Sequence, residues 1–242
     1  MEFYKKNQRN EYGQLQGMPV NQNSDISIGE SCLQGDTVAL YAINHVDDLE
    51  HWENQIWHTV CTEPDLSCWT YLAYSGFREK AELIQTLQHN FYVSDSIHYL
   101  IVVNQHVVGW VALMNMRPEH GVIEIGNVYF SHLMKKSTAS TEVIYLLLDL
   151  CFQKGFRRIE WKCDDLNVPS KQAALRFGFS FEGLFRQDRI IKGCNRNTAW
   201  YSILDEEWPA LKMVYQKWLS KDNFDEQGQQ KVCFQDFKKQ AI

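Results

Sequence analysis

Between Val122 and Cys163 the apolar pattern changes period twice. Val122 to Phe130 (VIEIGNVYF) carries the two-residue repeat of a strand. Ala139 to Lys154 follows the 3.6-residue repeat of a long amphipathic helix, and Gly155 stands just past its end as a stop signal. Arg158 to Cys163 (RIEWKC) is again a short strand. Two neighbouring strands joined through a helix of this length must run parallel, with the helix crossing one face of the sheet. This passage therefore requires a sheet with at least one parallel pair.

The flanking segments add antiparallel strands and further helices. Thr37 to Ile43 (TVALYAI) reads as a strand. The segment from His45 reads as a helix with Val46, Leu49, Trp52 and Ile56 on one side. Cys61 to Gly76 is a loop carrying Trp69, Tyr71 and Tyr74, and Arg78 to Phe91 is a second helix. His98 to Val103 and Val107 to Met116 flank Asn104-Gln105, a hairpin signal. Beyond the crossover, Asn167 caps a helix over Val168 to Phe177, with Pro169 in its first turn and Gly178 as its stop. Strands over Phe181 to Ile191 and Thr198 to Leu204 and a helix over Glu206 to Leu219 complete the pattern. The expectation is one α/β (α+β) domain over residues 37–220, a mixed and mostly antiparallel sheet with helices on both faces. Residues 1–36 read as a polar N-terminal arm and 221–242 as a C-terminal tail.

A formal net charge of -6 argues against non-specific nucleic-acid binding, which depends on neutralising phosphates. Seven cysteines, an odd number without a CxxC pair, fit a reducing compartment and offer no zinc-ligand spacing. Met1 to Asn10 lacks the apolar core of a secretory signal, and no apolar run approaches the ~20 residues of a membrane-spanning helix. The expected location is the cytoplasm, with no membrane partner and no metal.

Two constellations carry candidate chemistry. The turn SHLMKKSTAS leaves the Val122–Phe130 strand and enters the crossover helix. A helix start offers free N–H groups and a partial positive charge, which suits a phosphate. Ser137, Ala139 and Ser140 are small, Lys135 and Lys136 add charge, and Ser137, Thr138 and Thr141 add hydroxyls. An ordinary Ser/Thr-capped helix has the same composition. The second constellation is Asn167-Val168-Pro169-Ser170, followed by Leu175-Arg176-Phe177-Gly178-Phe179. Asn and Ser are again normal capping residues. Their meaning changes because the two constellations occur in order, ~30 residues apart, each after a strand.

Together with the downstream KGCNRNTAWYSILDEEW, the segments EIGNVYFSHLMKKSTASTE and WKCDDLNVPSKQAALRFGFSFEGLFRQ resemble the GNAT acetyltransferase superfamily. The likeness is to its RimJ/RimL-like N-acetyltransferase branch and covers about Thr37 to Trp208. It implies acetyl transfer from acetyl-CoA, as co-substrate, to an amine acceptor, a small molecule or a protein N-terminus, without metal. It also implies a split between Val122–Phe130 and Arg158–Cys163 that takes the pantetheine arm. Lys135 to Thr141 would then hold the pyrophosphate, and Asn167 would hydrogen-bond the pantetheine arm or orient the acceptor side of the site. Backbone groups over Val128, Tyr129 and Phe130 would polarise the thioester carbonyl. Ser170 is the candidate acid for the leaving thiolate, and Glu124 the candidate base, with Glu182 as runner-up. Two positions depart from the superfamily pattern. Thr138 replaces the usual central glycine, and Ala174 stands where many members carry a tyrosine acid. These departures keep open a second reading, a non-catalytic acyl-CoA-binding or interaction module on the same scaffold.

Overall fold

A computed structural model describes residues 7–23, 25–92, 96–134 and 137–241. The crossover is present: β7 (Val122–Phe130), α3 (Ala139–Gln153) and β8 (Arg158–Asp164), with β7 and β8 parallel. On one side β7 is followed in the sheet by β6 (His106–Arg117), β5 (Ile97–Val103), β4 (Ala39–Ile43) and β3 (Cys32–Gln34). On the other side β8 is followed by β10 (Cys194–Leu204) and then β9 (Ser180–Ile191). Every pairing in this eight-stranded sheet other than β7–β8 is antiparallel. The β5–β6 hairpin turns on Asn104 and Gln105, whose φ values of 49° and 64° are the left-handed pair that a two-residue hairpin needs.

Helices cover the two faces unequally. The helices α3, α4 (Val168–Arg176), α5 (Trp208–Leu219) and α6 (Phe234–Ala241) pack on the face that presents Ile123, Ile125, Ile159 and Trp161. The opposite face presents Leu100, Val102, Trp110 and Tyr129 to α1 (Val46–Cys61) and α2 (Lys80–Phe91). The second cluster is centred on aromatic rings, with Trp69 stacked on Tyr129 at 4.8 Å and Trp110 packed on Tyr129 at 4.3 Å between centroids. No helix among the described residues is long and apolar enough to cross a membrane.

Both ends carry structure of their own. Ile26 and Ile28 are core residues, and β3 extends the sheet ahead of Thr37. Residues 7–9 and 15–17 form a separate hairpin, β1 and β2. At the other end Phe234 of α6 is buried against Tyr215 and Trp218. The β1–β2 hairpin contributes no buried apolar residue, and the other segments contribute few, too few to establish a period in the sequence.

His98 on β5 gives the fold an acid sensitivity. It is 2% exposed and stacks on Phe91 with ring centroids 4.3 Å apart. Burial lowers its pKa to about 4. Below its ordinary value of about 6.5 the unfolded chain binds a proton that the folded chain refuses, so stability falls as pH falls from there toward 4. By pH 5 the loss from this residue is about 2 kcal/mol. His98→Leu should remove that component, measured as the change in urea midpoint between pH 7 and pH 5 in both proteins.

Candidate active site

The parallel pairing of β7 and β8 lasts for three residues, Val122↔Arg158, Ile123↔Ile159 and Glu124↔Glu160. Past this point β7 stays with β6 and β8 stays with β10, so a gap opens in the middle of the sheet. A bulge in β7 reinforces the parting. Trp110 pairs with Tyr129 and Ala112 with Gly126, so Val111 faces two residues, Asn127 and Val128. Asn127 takes φ 45°, a left-handed conformation that asparagine tolerates better than most residues. Its side chain is tied down: Tyr74 Oη donates to Asn127 Oδ1 at 3.0 Å and accepts from Trp110 Nε1 at 2.8 Å. A bulge leaves its extra residue outside the ladder, and this one lies at the rim of the gap.

The start of α3 borders the gap beyond β7. Ser137 N–H bonds to Met134 O, and the N–H groups of Thr141 and Glu142 both bond to Thr138 O. Among the described residues the N–H groups of Ala139 and Ser140 have no acceptor. A helix start of this kind is the position where an anion finds backbone donors. Ser137 is exposed, Ser140 half-buried and Ala139 buried. Thr141 is arranged differently from the sequence expectation. It is fully buried, and its hydroxyl accepts from Arg176 Nη2 at 2.8 Å, which removes it from the exposed turn. Lys135 and Lys136 lie outside the described residues.

Across the gap, α4 starts at the Asn167 cap, whose Oδ1 accepts from Ser170 N at 3.1 Å. Ser170 Oγ accepts from Trp161 Nε1 at 3.0 Å. Burial raises the pKa of Cys163, so the sulfur stays a thiol. Ser170 is thus a half-buried hydroxyl fixed beside the β8 arm of the gap. Ala174, one turn further along α4, is wholly buried and packs in the core.

A charged cluster lies at the closed end of the gap. Glu124 is 6% exposed, and its Oε2 accepts from Lys162 Nζ and from Asn115 Nδ2, both at 2.7 Å. Lys162 also reaches Glu160 Oε2 at 2.9 Å, and Glu160 accepts from Arg117 at 2.6 Å and from Arg158 Nε at 2.9 Å. Burial alone would raise the pKa of Glu160. The hydrogen bonds from Arg158 and Lys162 outweigh it and hold the carboxyl below its usual range. Glu182, the alternative base, belongs to the far side of this cluster. Arg158 binds it through two N–H groups, at 2.6 and 2.5 Å, and Ser202 Oγ donates to it at 2.7 Å. The Arg158 contact lowers its pKa, which makes it a poor proton acceptor.

The pattern of the acetyltransferase (GNAT) family matches residues 46–179, more than half of the chain. The chain belongs to the GNAT acetyltransferase family. A GCN5-related N-acetyltransferase from Brucella melitensis is 38% identical, with a TM-score of 0.82 over 87% of this chain and 96% of that one. A GNAT-family structure from Chromobacterium violaceum is 32% identical, with a TM-score of 0.73 over 80% of this chain and 96% of that one. The ribosomal-protein acetyltransferase RimL, solved in complex with coenzyme A, shares the fold at 17% identity and a TM-score of 0.58, covering 72% and 97% of the two chains. No match was found among curated protein sequences.

In this GNAT chain the loop before α2 closes the face of the gap opposite α3. Of its aromatics, Trp69 and Tyr74 are buried in the core and Tyr71 is partly exposed. Tyr71 Oη donates to Leu166 O at 2.9 Å, bridging this loop to the β8–α4 turn. Lys192, at the tip of the β9–β10 hairpin, donates to Trp69 O at 2.6 Å. Trp200 of β10 lies beside Lys162 and packs on Phe185 at 4.7 Å, and its buried Nε1 has no hydrogen-bond partner. Tyr129 contributes backbone to the gap and not its hydroxyl, which donates to Glu63 at 2.8 Å. Among the described residues no group of His, Cys, Asp and Glu could hold a metal ion.

Sequence reasoning missed Lys162 and Asn127. Lys162 was legible, since it stands two residues from Glu160 on a strand and therefore shares its face. Asn127 carried a weaker signal, an asparagine after a glycine inside an otherwise apolar strand.

Proposed function

We propose that the protein moves the acetyl group of acetyl-CoA to a primary amine, on a protein N-terminus or a small molecule, by direct attack in a ternary complex. The parting of β7 and β8 after Glu124 and Glu160, with a bulge at Asn127, carries this reading. The helix start at Ala139 and Ser140 suits a pyrophosphate, and the edges of β7 and β8 suit an extended amide-bearing arm. Acetyl-CoA supplies an activated thioester. The protein's part is to position it and to move protons.

In this reading Glu124 takes the proton from the attacking ammonium, directly or through one water. Asn115 and Lys162 hold its carboxylate in one orientation. Backbone N–H groups at the bulge around Val128 polarise the thioester carbonyl. Ser170 protonates the departing sulfur, and the Trp161 indole fixes its oxygen so that the hydroxyl proton stays free to be given. Asn167 holds the first turn of α4 and so sets where Ser170 stands.

Release of free thiol from acetyl-CoA, assayed over protein N-terminal peptides, polyamines and small amines, tests the activity and the acceptor class together. Turnover with at least one amine is expected. Ser170→Ala should lower kcat by about 10²-fold while leaving acetyl-CoA binding nearly unchanged. Full turnover in that variant would remove Ser170 from the mechanism. Acetyl-CoA binding without turnover across the panel would favour a non-catalytic acyl-CoA-binding module.

A further inference from the structure

Lys162 carries a primary amine within hydrogen-bond reach of Glu124, the carboxylate read above as the base. It lies on the β8 arm of the gap, two residues past Glu160, the last residue paired with β7. Its Nζ is 2.7 Å from Glu124 Oε2, 2.9 Å from Glu160 Oε2 and 4.0 Å from the centroid of the Trp200 ring. A primary amine held by a carboxylate on one side and an aromatic face on another is the arrangement by which a site grips an ammonium group. The lysine side chain is 10% exposed, whereas the other lysines found in ion pairs (Lys80, Lys154, Lys171, Lys212 and Lys239) are 31–78% exposed. Burial inside the gap separates Lys162 from a general surface target.

We infer that Lys162 is itself an acetyl acceptor, modified by the chain's own acetyl-CoA when no external amine occupies the site. The inference rests on the reading of the β7–β8 gap as the acetyl-CoA site. The ammonium of Lys162 passes one proton to Glu124, and the freed lone pair attacks the thioester carbonyl carbon. The N–C bond forms and the C–S bond breaks. The second amine proton replaces, on Ser170, the one that Ser170 gives to the leaving sulfur, so the products are an acetyl-lysine, coenzyme A as its thiol and one proton on Glu124. The modification removes a positive charge from between Glu124 and Glu160 and fills the place an external amine must take. It therefore stops further turnover.

The test is mass spectrometry of the full chain after incubation with acetyl-CoA and no amine. Expected is one added acetyl group, mapped by peptide analysis to Lys162 and suppressed by excess free coenzyme A. The adduct is absent from Lys162→Arg, and its rate of formation falls by about 10²-fold or more in Glu124→Gln. The wild-type result stands alone if Lys162→Arg melts at a lower temperature than the wild type. A thermal shift with acetyl-CoA and no acetyl at Lys162 overturns the inference and leaves the acetyl-CoA reading intact. Acetyl groups confined to exposed lysines, insensitive to coenzyme A, overturn it in the same way. No thermal shift at all removes both.

Discussion

Glu124→Gln should lower kcat for amine acetylation by about 10²- to 10⁴-fold, with acetyl-CoA affinity changed little. Glutamine keeps the shape of the side chain and can still accept from Lys162 and Asn115, but it takes up no proton. The carboxylate is well placed to act, because it sits at the last paired position of β7, where the strands part. Its two hydrogen-bond donors fix it toward the β8 side. Lys162 keeps a second carboxylate, Glu160 at 2.9 Å, so the substitution does not strand a buried charge. The loss of stability should therefore be small beside the loss of rate. Glu182→Gln makes the contrast: it breaks the paired contact with Arg158 and should act on stability, leaving kcat within about tenfold. Steady-state kinetics and melting temperatures on both variants decide the assignment. Equal kcat in Glu124→Gln and the wild type would move the base elsewhere.

The sheet's centre was legible because its residues obey one rule each. The strands β5, β6 and β7 show an apolar repeat, α3 shows another, and Gly155 and Gly178 mark helix ends with φ values of 95° and 101°. Asn167 was readable as a cap and does cap, through its bond to Ser170 N. The order of strand, helix start, strand and capped helix then pointed to the two sides of the gap. What the sequence did not show are contacts between distant segments. The carboxylate of Glu142, in the first turn of α3, accepts from the N–H and hydroxyl of Thr37, tying α3 to the β3–β4 turn. Thr141 had the right residue type for a phosphate turn, but the helical rotation buries it on Arg176. Lys162 and Glu124 are 38 residues apart in the chain, and only the pairing register brings them to one point. Such pairs leave no local pattern to read.

Acetyl-CoA is proposed to bind with its phosphates on the start of α3. Ser140→Asp separates this from any effect on folding. An acidic residue in the first turn of a helix interacts favourably with the helix dipole, so the variant should melt no lower than the wild type. The same carboxylate would stand beside a bound pyrophosphate. Two like charges ~4 Å apart at a protein surface repel by about 4 kcal/mol at an effective dielectric of 20, enough to weaken binding by well over tenfold. The decisive measurement is the melting temperature of both proteins titrated with acetyl-CoA, since a ligand that binds only the folded state raises it in proportion to the logarithm of its excess over Kd. A rising melting temperature is expected for the wild type and a flat one for Ser140→Asp over the same range. Equal rises in both proteins, or none in the wild type, would contradict it.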